Sequence, residues 1–126
     1  MAGDFNRDGF RDVFWYAPGS GAESVWYGGS AGFRAGSARG VAGTYTARIL
    51  DANGDGYDDL FWYSSTAAFF WRNGPSGFRS LAVPGMPTGM RPVTGELTGD
   101  GRDDLLAYVP GATADRLRPG TPSGMT

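Results

Sequence analysis

The sequence predicts an all-β protein made of β-propeller blades, each a four-stranded antiparallel sheet, with about 2.5–3 blades in the chain. Three observations lead to this fold class. A segment that starts at Asp4 recurs 47 residues later at Asp51 and, in altered form, 45 residues after that at Glu96. The apolar runs are short, rich in Val, Phe, Trp and Tyr, and bounded by Gly, Pro, Asn or Ser, and none has a helical period. Four strands in about 45 residues are typical of a propeller blade.

Each repeat unit is predicted to contain an inner strand, two middle strands and an outer strand. The approximate units are residues 1–43, 44–89 and 90–126. Inner strands are expected at 44–50 and 91–95, second strands at 13–16, 60–63 and 105–109, third strands at 24–27, 68–71 and 116–117, and outer strands at 34–41 and 79–83. Asn73 and Gly74 are expected to form a tight turn, since both tolerate a positive φ. The first unit is expected to lack an inner strand and the third to end after its third strand, which gives about ten strands.

The second strands carry consecutive apolar residues, Val13–Tyr16 and Leu60–Tyr63. Burial of both strand faces is therefore predicted, as in blades that stack face to face. Closed propellers have about 4–8 blades, so three or fewer would leave an apolar face at each end. We expect these faces to be covered by other copies in a homo-oligomer that completes the ring, or by further blades of a longer protein.

Composition excludes most catalytic chemistry. The chain has 11 Arg, no Lys, no His, no Cys and a formal net charge of −2. Serine and cysteine triads, thiolate or imidazole zinc sites, disulfides, phosphate-binding lysines and Schiff bases are all ruled out. A pair of carboxylates, as in a glycosidase, is the remaining enzymatic option. Eleven of the 13 acidic residues lie in three repeated loops, whereas a catalytic pair is normally unique, so we predict that the protein is not an enzyme.

Two further partner classes are not expected. The eight Arg outside the loops are scattered and not interleaved with aromatic residues, so no nucleic-acid interface is predicted. No stretch approaches the roughly 18 apolar residues that cross a bilayer, so no membrane span is predicted. The first residues also lack the charged and apolar regions of a signal peptide.

The first two acidic loops have the pattern Asp-x-Asn-x-Asp-Gly-x-x-Asp. Oxygen ligands at positions 1, 3 and 5, a backbone carbonyl at position 7 and a carboxylate at position 9 can surround Ca²⁺, and Gly at position 6 permits the sharp turn. The ligands predicted for the first loop are Asp4, Asn6, Asp8, the carbonyl of Phe10, and Asp12. Those predicted for the second loop are Asp51, Asn53, Asp55, the carbonyl of Tyr57, and Asp59.

The third loop departs from this pattern, because Glu96 replaces the first Asp and Thr98 replaces the Asn. Its predicted ligands are Glu96, Thr98, Asp100, the carbonyl of Arg102, and Asp104, which gives up to three calcium ions in the chain. An EF-hand is excluded, since position 12 is Trp15 or Trp62 where that motif needs an acidic residue, and the flanking segments read as strands. The alternative is that all three loops are plain acidic turns between strands.

The unit GDFNRDGFRDVFWYAPG…ESVWYGGSAGF resembles the FG-GAP or VCBS-type repeat, the calcium-bearing blade of integrin-α-like β-propellers. The resemblance covers nearly the whole chain. It implies a structural cation in the loop between the first and second strands of each blade. It also implies an extracellular or secreted location, since such repeats occur in many exported bacterial proteins.

The sequence therefore leads to a calcium-stabilised, non-enzymatic scaffold for assembly or adhesion, with a protein or glycan as possible ligand. A calcium sensor would need a bistable element, and the sequence suggests none. The alternative function is a carbohydrate-binding propeller lectin. Its stacking platforms would come from the Tyr residues and from Trp15, Trp26, Trp62 and Trp71, unless these rings fill the space between blades.

Overall fold

The computed structural model describes residues 1–19, 21–111 and 115–125. In these ranges all regular elements are β-strands, and they form three successive blades. Blade 1 contains β1 (Ala2–Gly3), β2 (Asp12–Trp15), β3 (Ser24–Tyr27) and β4 (Arg34–Ser37). Blade 2 contains β5 (Thr46–Leu50), β6 (Asp59–Tyr63), β7 (Ala68–Arg72) and β8 (Arg79–Ala82). Blade 3 contains β9 (Arg91–Gly95), β10 (Asp104–Tyr108), β11 (Arg116–Arg118), β12 (Gly120–Thr121) and β13 (Gly124–Met125).

Every paired strand runs antiparallel to its neighbour. Blades 1 and 2 are four-stranded sheets whose strand order follows the chain. Blade 3 is a three-stranded sheet of β9, β10 and β11, followed by a separate hairpin of β12 and β13. The predicted all-β fold of propeller blades is confirmed. The described residues form no helix that could cross a membrane.

Both ends of the array contain more strands than predicted. Blade 1 has an inner strand after all, in which Ala2 pairs with Val13, and the Phe14 N–H donates to the Met1 carbonyl over 2.8 Å. Even two residues are enough to give the backbone of β2 partners that it would otherwise lack. Blade 3 likewise continues beyond its third strand through the β12–β13 hairpin. The described ranges hold 13 strands, so the predicted total of about ten is too low.

The tight turn of blade 2 lies further along the chain than predicted. Gly77 has a φ of 83° and its N–H donates to the Gly74 carbonyl over 2.9 Å. Asn73 is buried instead. Its backbone N–H donates to Asp59 over 2.6 Å, and its side-chain amide donates to the carbonyl of Phe5 in blade 1 over 2.8 Å. The prediction of a turn at Asn73 is wrong because this residue joins blades 1 and 2.

Blades 1 and 2 pack face to face through aromatic side chains. The ring of Phe14 lies edge to face with Trp62 at 5.8 Å, with Trp71 at 6.4 Å and with Phe78 at 6.0 Å between centroids. Phe14 and Trp62 are fully buried in this core. Such ring pairs each contribute about 0.5–1.5 kcal/mol beyond the burial of their area. Two of the four tryptophans, Trp62 and Trp71, therefore fill the space between blades.

Blades 2 and 3 share a second, more aliphatic core on the opposite face of blade 2. Phe61 and Phe70 contribute from blade 2, and Leu105 and Ala107 from blade 3. The unit boundaries 1–43, 44–89 and 90–126 remain a prediction.

The second strands of blades 1 and 2 differ in burial despite their similar sequences. In β6 the residues from Asp59 to Trp62 are all buried, as predicted for a strand packed on both faces. In β2 only alternate residues are buried, and Trp15 is 49% exposed. The prediction of two buried faces is wrong for blade 1, because among the described residues no blade packs against the face that carries Trp15.

Candidate metal centres

Each acidic loop joins the inner strand of a blade to its second strand. Loop 1 is residues 4–12, loop 2 is residues 51–59 and loop 3 is residues 96–104, and the ninth residue of each is also the first residue of the second strand. The glycine at the sixth position has a φ of 84° at Gly9, 85° at Gly56 and 82° at Gly101. These angles lie in the left-handed region that favours glycine. The predicted sharp turn is therefore present in all three loops.

The carboxylate at the first position of each loop accepts backbone N–H groups of the same loop. In loop 1, Asp4 accepts from Asp8 over 3.1 Å and from Gly9 over 2.9 Å. In loop 2, Asp51 accepts from Asp55 over 3.2 Å. The fifth position in turn accepts the N–H of the seventh. These bonds measure 2.9 Å from Phe10 to Asp8, 2.9 Å from Tyr57 to Asp55 and 3.0 Å from Arg102 to Asp100.

The Asn at the third position of loop 2 has an unpaired acceptor. Asn53 Nδ2 donates to Asp55 Oδ2 over 2.7 Å, and this fixes the amide orientation because an ionised carboxylate only accepts. Asn53 Oδ1 is buried and has no hydrogen-bond donor among the described residues. In loop 1, Asn6 makes the same bond to Asp8 over 2.9 Å, but its Oδ1 accepts the Asp8 N–H over 3.3 Å. A buried acceptor without a donor costs about 1–3 kcal/mol, and a hard cation can satisfy it.

The acidic side chains of loop 3 have partners different from those in loops 1 and 2. Glu96 accepts from the N–H groups of Thr98 over 3.0 Å and Gly99 over 2.7 Å. Thr98 has no side-chain amide to reach Asp100, and the Arg102 guanidinium binds Asp100 instead over 2.9 Å. Because the Arg102 guanidinium already offsets the negative charge of Asp100, a metal ion would relieve less charge repulsion in loop 3 than in loops 1 and 2.

The ninth position of each loop is a fully buried carboxylate that joins two parts of its blade. Asp59 accepts the N–H of Ala52 over 3.1 Å at one oxygen and that of Asn73 over 2.6 Å at the other. The same pair of contacts recurs in the other blades. Asp12 accepts from Phe5 over 2.7 Å and Gly28 over 2.9 Å, and Asp104 accepts from Leu97 over 2.9 Å and Gly120 over 2.8 Å. This carboxylate thus ties its acidic loop to the segment after the third strand, which the sequence did not reveal.

Hydrogen bonds therefore bring the first, third and fifth positions together in loops 1 and 2, while the ninth position faces into the blade. In loop 3 the third position, Thr98, donates to the ninth, Asp104. Within the residues that the structure describes, no three acidic side chains converge as a metal-holding group. Each oxygen of the ninth carboxylate has a second lone pair, so its bonds to two N–H groups are compatible with a further contact to a cation.

Neighbouring loops are linked by the eighth position, which the sequence analysis did not single out. Asp58 Oδ2 accepts the Asp4 N–H over 2.7 Å, and the Asp58 N–H donates to the Asp4 carbonyl over 2.9 Å. Asp103 makes the same two contacts with Asp51, over 2.9 Å and 3.0 Å. In loop 1 the eighth position is Arg11. The recurring pairs Asp58-Asp59 and Asp103-Asp104 were the sequence signal that could have indicated this contact.

Burial raises the pKa of the Asp59 carboxyl from its ordinary 3.8 to about 7. The N–H groups of Asn73 and Ala52 oppose this shift, and the negative charges of Asp51 and Asp55 add to it. Loop 2 therefore holds one carboxyl that, without a counter-ion, is ionised only at neutral pH or above.

The equivalent Asp104 behaves differently. Its burial also favours the neutral form, but donors from Gly120, Leu97 and Thr98 together outweigh that effect and hold its pKa below the usual value. Loop 3 thus keeps its ninth carboxylate charged by hydrogen bonding, whereas loop 2 does not.

A pH dependence follows for the calcium-free protein. Because folding raises the pKa of Asp59, the folded state binds this proton more tightly, and the resulting stability is lost as pH rises from about 4 to about 7. Asp58, whose pKa is also raised chiefly by burial, acts in the same direction. Thermal melts in a chelator across this range should show a falling melting temperature in the wild type and a shallower fall in Asp59→Asn. Equal slopes in the two proteins would contradict the assignment to Asp59.

Comparison with known proteins agrees with this geometry. The model of the FG-GAP-like repeat family matches residues 4–62 and 51–107, two overlapping segments that each begin at the first residue of an acidic loop. Searches of curated proteins and of solved structures returned no match. The matched segments contain all three acidic loops, the second strands of blades 1 and 2, and all but the last residue of the second strand of blade 3. The chain belongs to the FG-GAP-like repeat family.

Proposed function

We propose that this chain is a calcium-stabilised β-propeller repeat segment that serves as a non-enzymatic scaffold for assembly or adhesion in an extracellular setting. The main support for the calcium proposal is the buried Asn53 Oδ1, which has no donor in the described part of the chain and lies in a loop otherwise lined by carboxylates. Extracellular calcium is abundant, so a site with few charges need not bind tightly to be filled.

The residues of loop 2 fit a hard cation best. Asp51, Asn53, Asp55, the Tyr57 carbonyl and Asp59 are the oxygen groups that would hold it. A bound Ca²⁺ would supply positive charge that removes the repulsion among these carboxylates and satisfies Asn53 Oδ1. Loop 1 ranks second, because the Asn6 amide oxygen already has a donor. Loop 3 ranks third, because Arg102 pairs with Asp100.

The links between loops support a scaffold role. Asp58 and Asp103 each bind the backbone of the preceding loop through two hydrogen bonds. An ion that orders one loop would therefore also hold the edge of the next blade in place. This arrangement favours a rigid array over a calcium-driven switch.

The acids outside the loops support the absence of catalysis. Glu23 is buried and accepts the Val41 N–H over 3.1 Å. Asp115 accepts the Val109 N–H over 3.0 Å. Within the described ranges both side chains thus serve backbone N–H groups, whereas acid–base hydrolysis would use a pair of carboxylates.

Removal of calcium should lower stability. An ion at about 100 times its dissociation constant adds about 2.7 kcal/mol per site, and this is lost in EDTA. We expect melting temperatures to rise with calcium in the wild type, and Asp55→Ala to lose most of the rise while melting close to wild type in EDTA. Asp115→Asn, which changes an acid outside the loops, should keep the full response. Identical melts in calcium and EDTA would exclude the metal proposal.

A second candidate function, carbohydrate binding, is favoured by one specific feature. A groove of about 510 Å³ lies between blades 1 and 2. Its walls include the rings of Tyr27, Tyr57 and Phe78 and the polar side chains of Asn6 and Arg39. Aromatic faces with a few polar groups are the combination that small-molecule sites present.

Tryptophan fluorescence can test the groove. The Arg39 guanidinium lies 5.6 Å from the ring centre of Trp71, so a sugar entering the groove should change the emission of this Trp. We expect a saturable change with some members of a panel of neutral and carboxylated methyl glycosides, and at least tenfold weaker binding in Arg39→Gln. The matched control is Arg48→Gln, which removes the similar contact to Tyr63 at 5.8 Å outside the groove. A panel without any saturable response would exclude this candidate.

A further inference from the structure

The array has an exposed apolar face at each end. The near face belongs to blade 1 and consists of Val13, Trp15, Trp26 and Phe33. The far face belongs to blade 3 and consists of Leu97, Leu106, Tyr108 and Leu117. All of these side chains except the half-buried Val13 and Leu106 are more than 40% exposed, and Phe33 reaches 61%. Trp15 and Trp26 lie 5.2 Å apart between ring centres and form one continuous aromatic surface.

The near face repeats, position by position, a face that is buried inside the molecule. The strand register pairs Val13 with Trp26 in blade 1 and Leu60 with Trp71 in blade 2. The residues of blade 2 equivalent to the near face are Leu60, Trp62, Trp71 and Phe78. All four pack against blade 1, and the first three are at most 2% exposed. The near face thus has the chemistry and spacing of a surface that packs against a preceding blade.

The far face repeats the other half of the same interface. Its equivalents in blade 1 are Phe5, Phe14, Tyr16 and Val25, and these residues pack against blade 2. Its equivalents in blade 2 are Ala52, Phe61, Tyr63 and Phe70, and these residues pack against blade 3. The two exposed faces are therefore the two complementary halves of a contact that the molecule already makes twice internally.

Charges at the loops add a specific feature to this contact. Inside the array, the eighth residue of a loop contacts the first residue of the loop in the preceding blade. Asp58 of loop 2, for example, contacts Asp4 of loop 1. Between a far face and a near face the equivalent pair is Glu96 and Arg11. The Arg11 side chain is 76% exposed and makes a long 3.8 Å contact to Asp58. The end contact would thus bring opposite charges together where the internal contacts use hydrogen bonds alone.

We infer that two copies of this chain join head to tail, with the near face of each on the far face of the other and Arg11 beside Glu96 of the second copy. This inference rests on the proposed scaffold function and specifies its partner. Closed propellers have about 4–8 blades, and with three blades per copy only two copies, six blades in all, fall in that range. Two identical junctions related by a two-fold axis close the ring and leave no apolar face exposed.

Sedimentation and light scattering with surface variants test the inference. The wild type should have twice the 13.3 kDa mass of one chain. Trp15→Glu alters the near face and Leu117→Glu the far face, so each variant alone should be a single chain, because both of its junctions contain one altered face. A 1:1 mixture of the two should recover the two-chain mass, because one junction then has both faces intact. Ser65→Glu adds the same charge on an exposed loop and should remain a two-chain species.

Three outcomes would overturn the inference. These are a wild type that stays a single chain at its highest soluble concentration, a Leu117→Glu protein that still forms two-chain species alone, and a mixture that remains at the mass of one chain. Thermal melts of the single variants show whether each is folded. Thermal melts of the same samples with and without calcium separate the two proposals. A wild type that is a single chain but is still stabilised by calcium would contradict the head-to-tail contact and agree with the metal proposal.

Discussion

Asp59→Ala should lower the free energy of unfolding by about 2–6 kcal/mol, whether or not calcium is present. The substitution removes the acceptor for two buried backbone N–H groups, those of Ala52 and Asn73. A buried donor left without a partner costs about 1–3 kcal/mol. Since small domains have about 5–15 kcal/mol in total, a loss at the upper end would leave much of the protein unfolded at room temperature. Urea titration followed by tryptophan fluorescence measures the effect.

Two variants separate this structural role from metal binding. Asp59→Asn keeps one acceptor oxygen and removes a carboxyl whose pKa is raised by burial. It should therefore lower the free energy of unfolding by less than Asp59→Ala does. Asp55→Ala changes the same loop but breaks only bonds local to it, to Asn53 and Tyr57. It should melt close to wild type in EDTA and lose most of the calcium response. If Asp59→Ala behaved like Asp55→Ala, the ninth position would be a metal ligand and no more.

Sequence repetition predicted the fold well because the repeat fixes the blade. The 47- and 45-residue offsets, the short apolar runs and the glycine at the sixth loop position all correspond to what the structure contains. What repetition cannot supply is the position of a blade in the array. The near-identical runs Val13–Tyr16 and Leu60–Tyr63 predicted equal burial, yet only the blade with a neighbour on each side buries both faces.

The site was predictable in its residue types and less so in its contacts. The acidic pattern located the loops, but hydrogen bonds between loops depend on how blades stack, which no local pattern contains. Asn73 is the clearest case. It follows a strand and precedes Gly74, which is a turn signal, whereas the structure uses its amide to reach the Phe5 carbonyl in the preceding blade. At the equivalent positions of blades 1 and 3, Gly28 and Gly120 donate only the backbone N–H.

Trp62→Ala should destabilise the protein by about 3–5 kcal/mol and lower the melting temperature by about 10–20 °C. Trp62 is fully buried, and its ring contacts Phe14, Tyr16 and Trp71 at 5.0–5.8 Å between centroids. Its removal would leave a cavity in the core between blades 1 and 2, which rigid strands on both sides cannot collapse to fill. Calorimetry or fluorescence-detected melts measure the loss.

The matched control is Trp15→Ala, at the same position of the repeat in blade 1. Because Trp15 is 49% exposed, this variant should cost less than half as much when measured at a dilution where the wild type is a single chain. Trp62→Phe tests the physical cause further. The Trp62 Nε1–H is buried and has no acceptor within the described ranges, so a phenylalanine loses some packing but also removes an unsatisfied donor. It should therefore retain most of the stability that Trp62→Ala loses. Equal losses in Trp62→Ala and Trp15→Ala would mean that the two blades do not pack through this face.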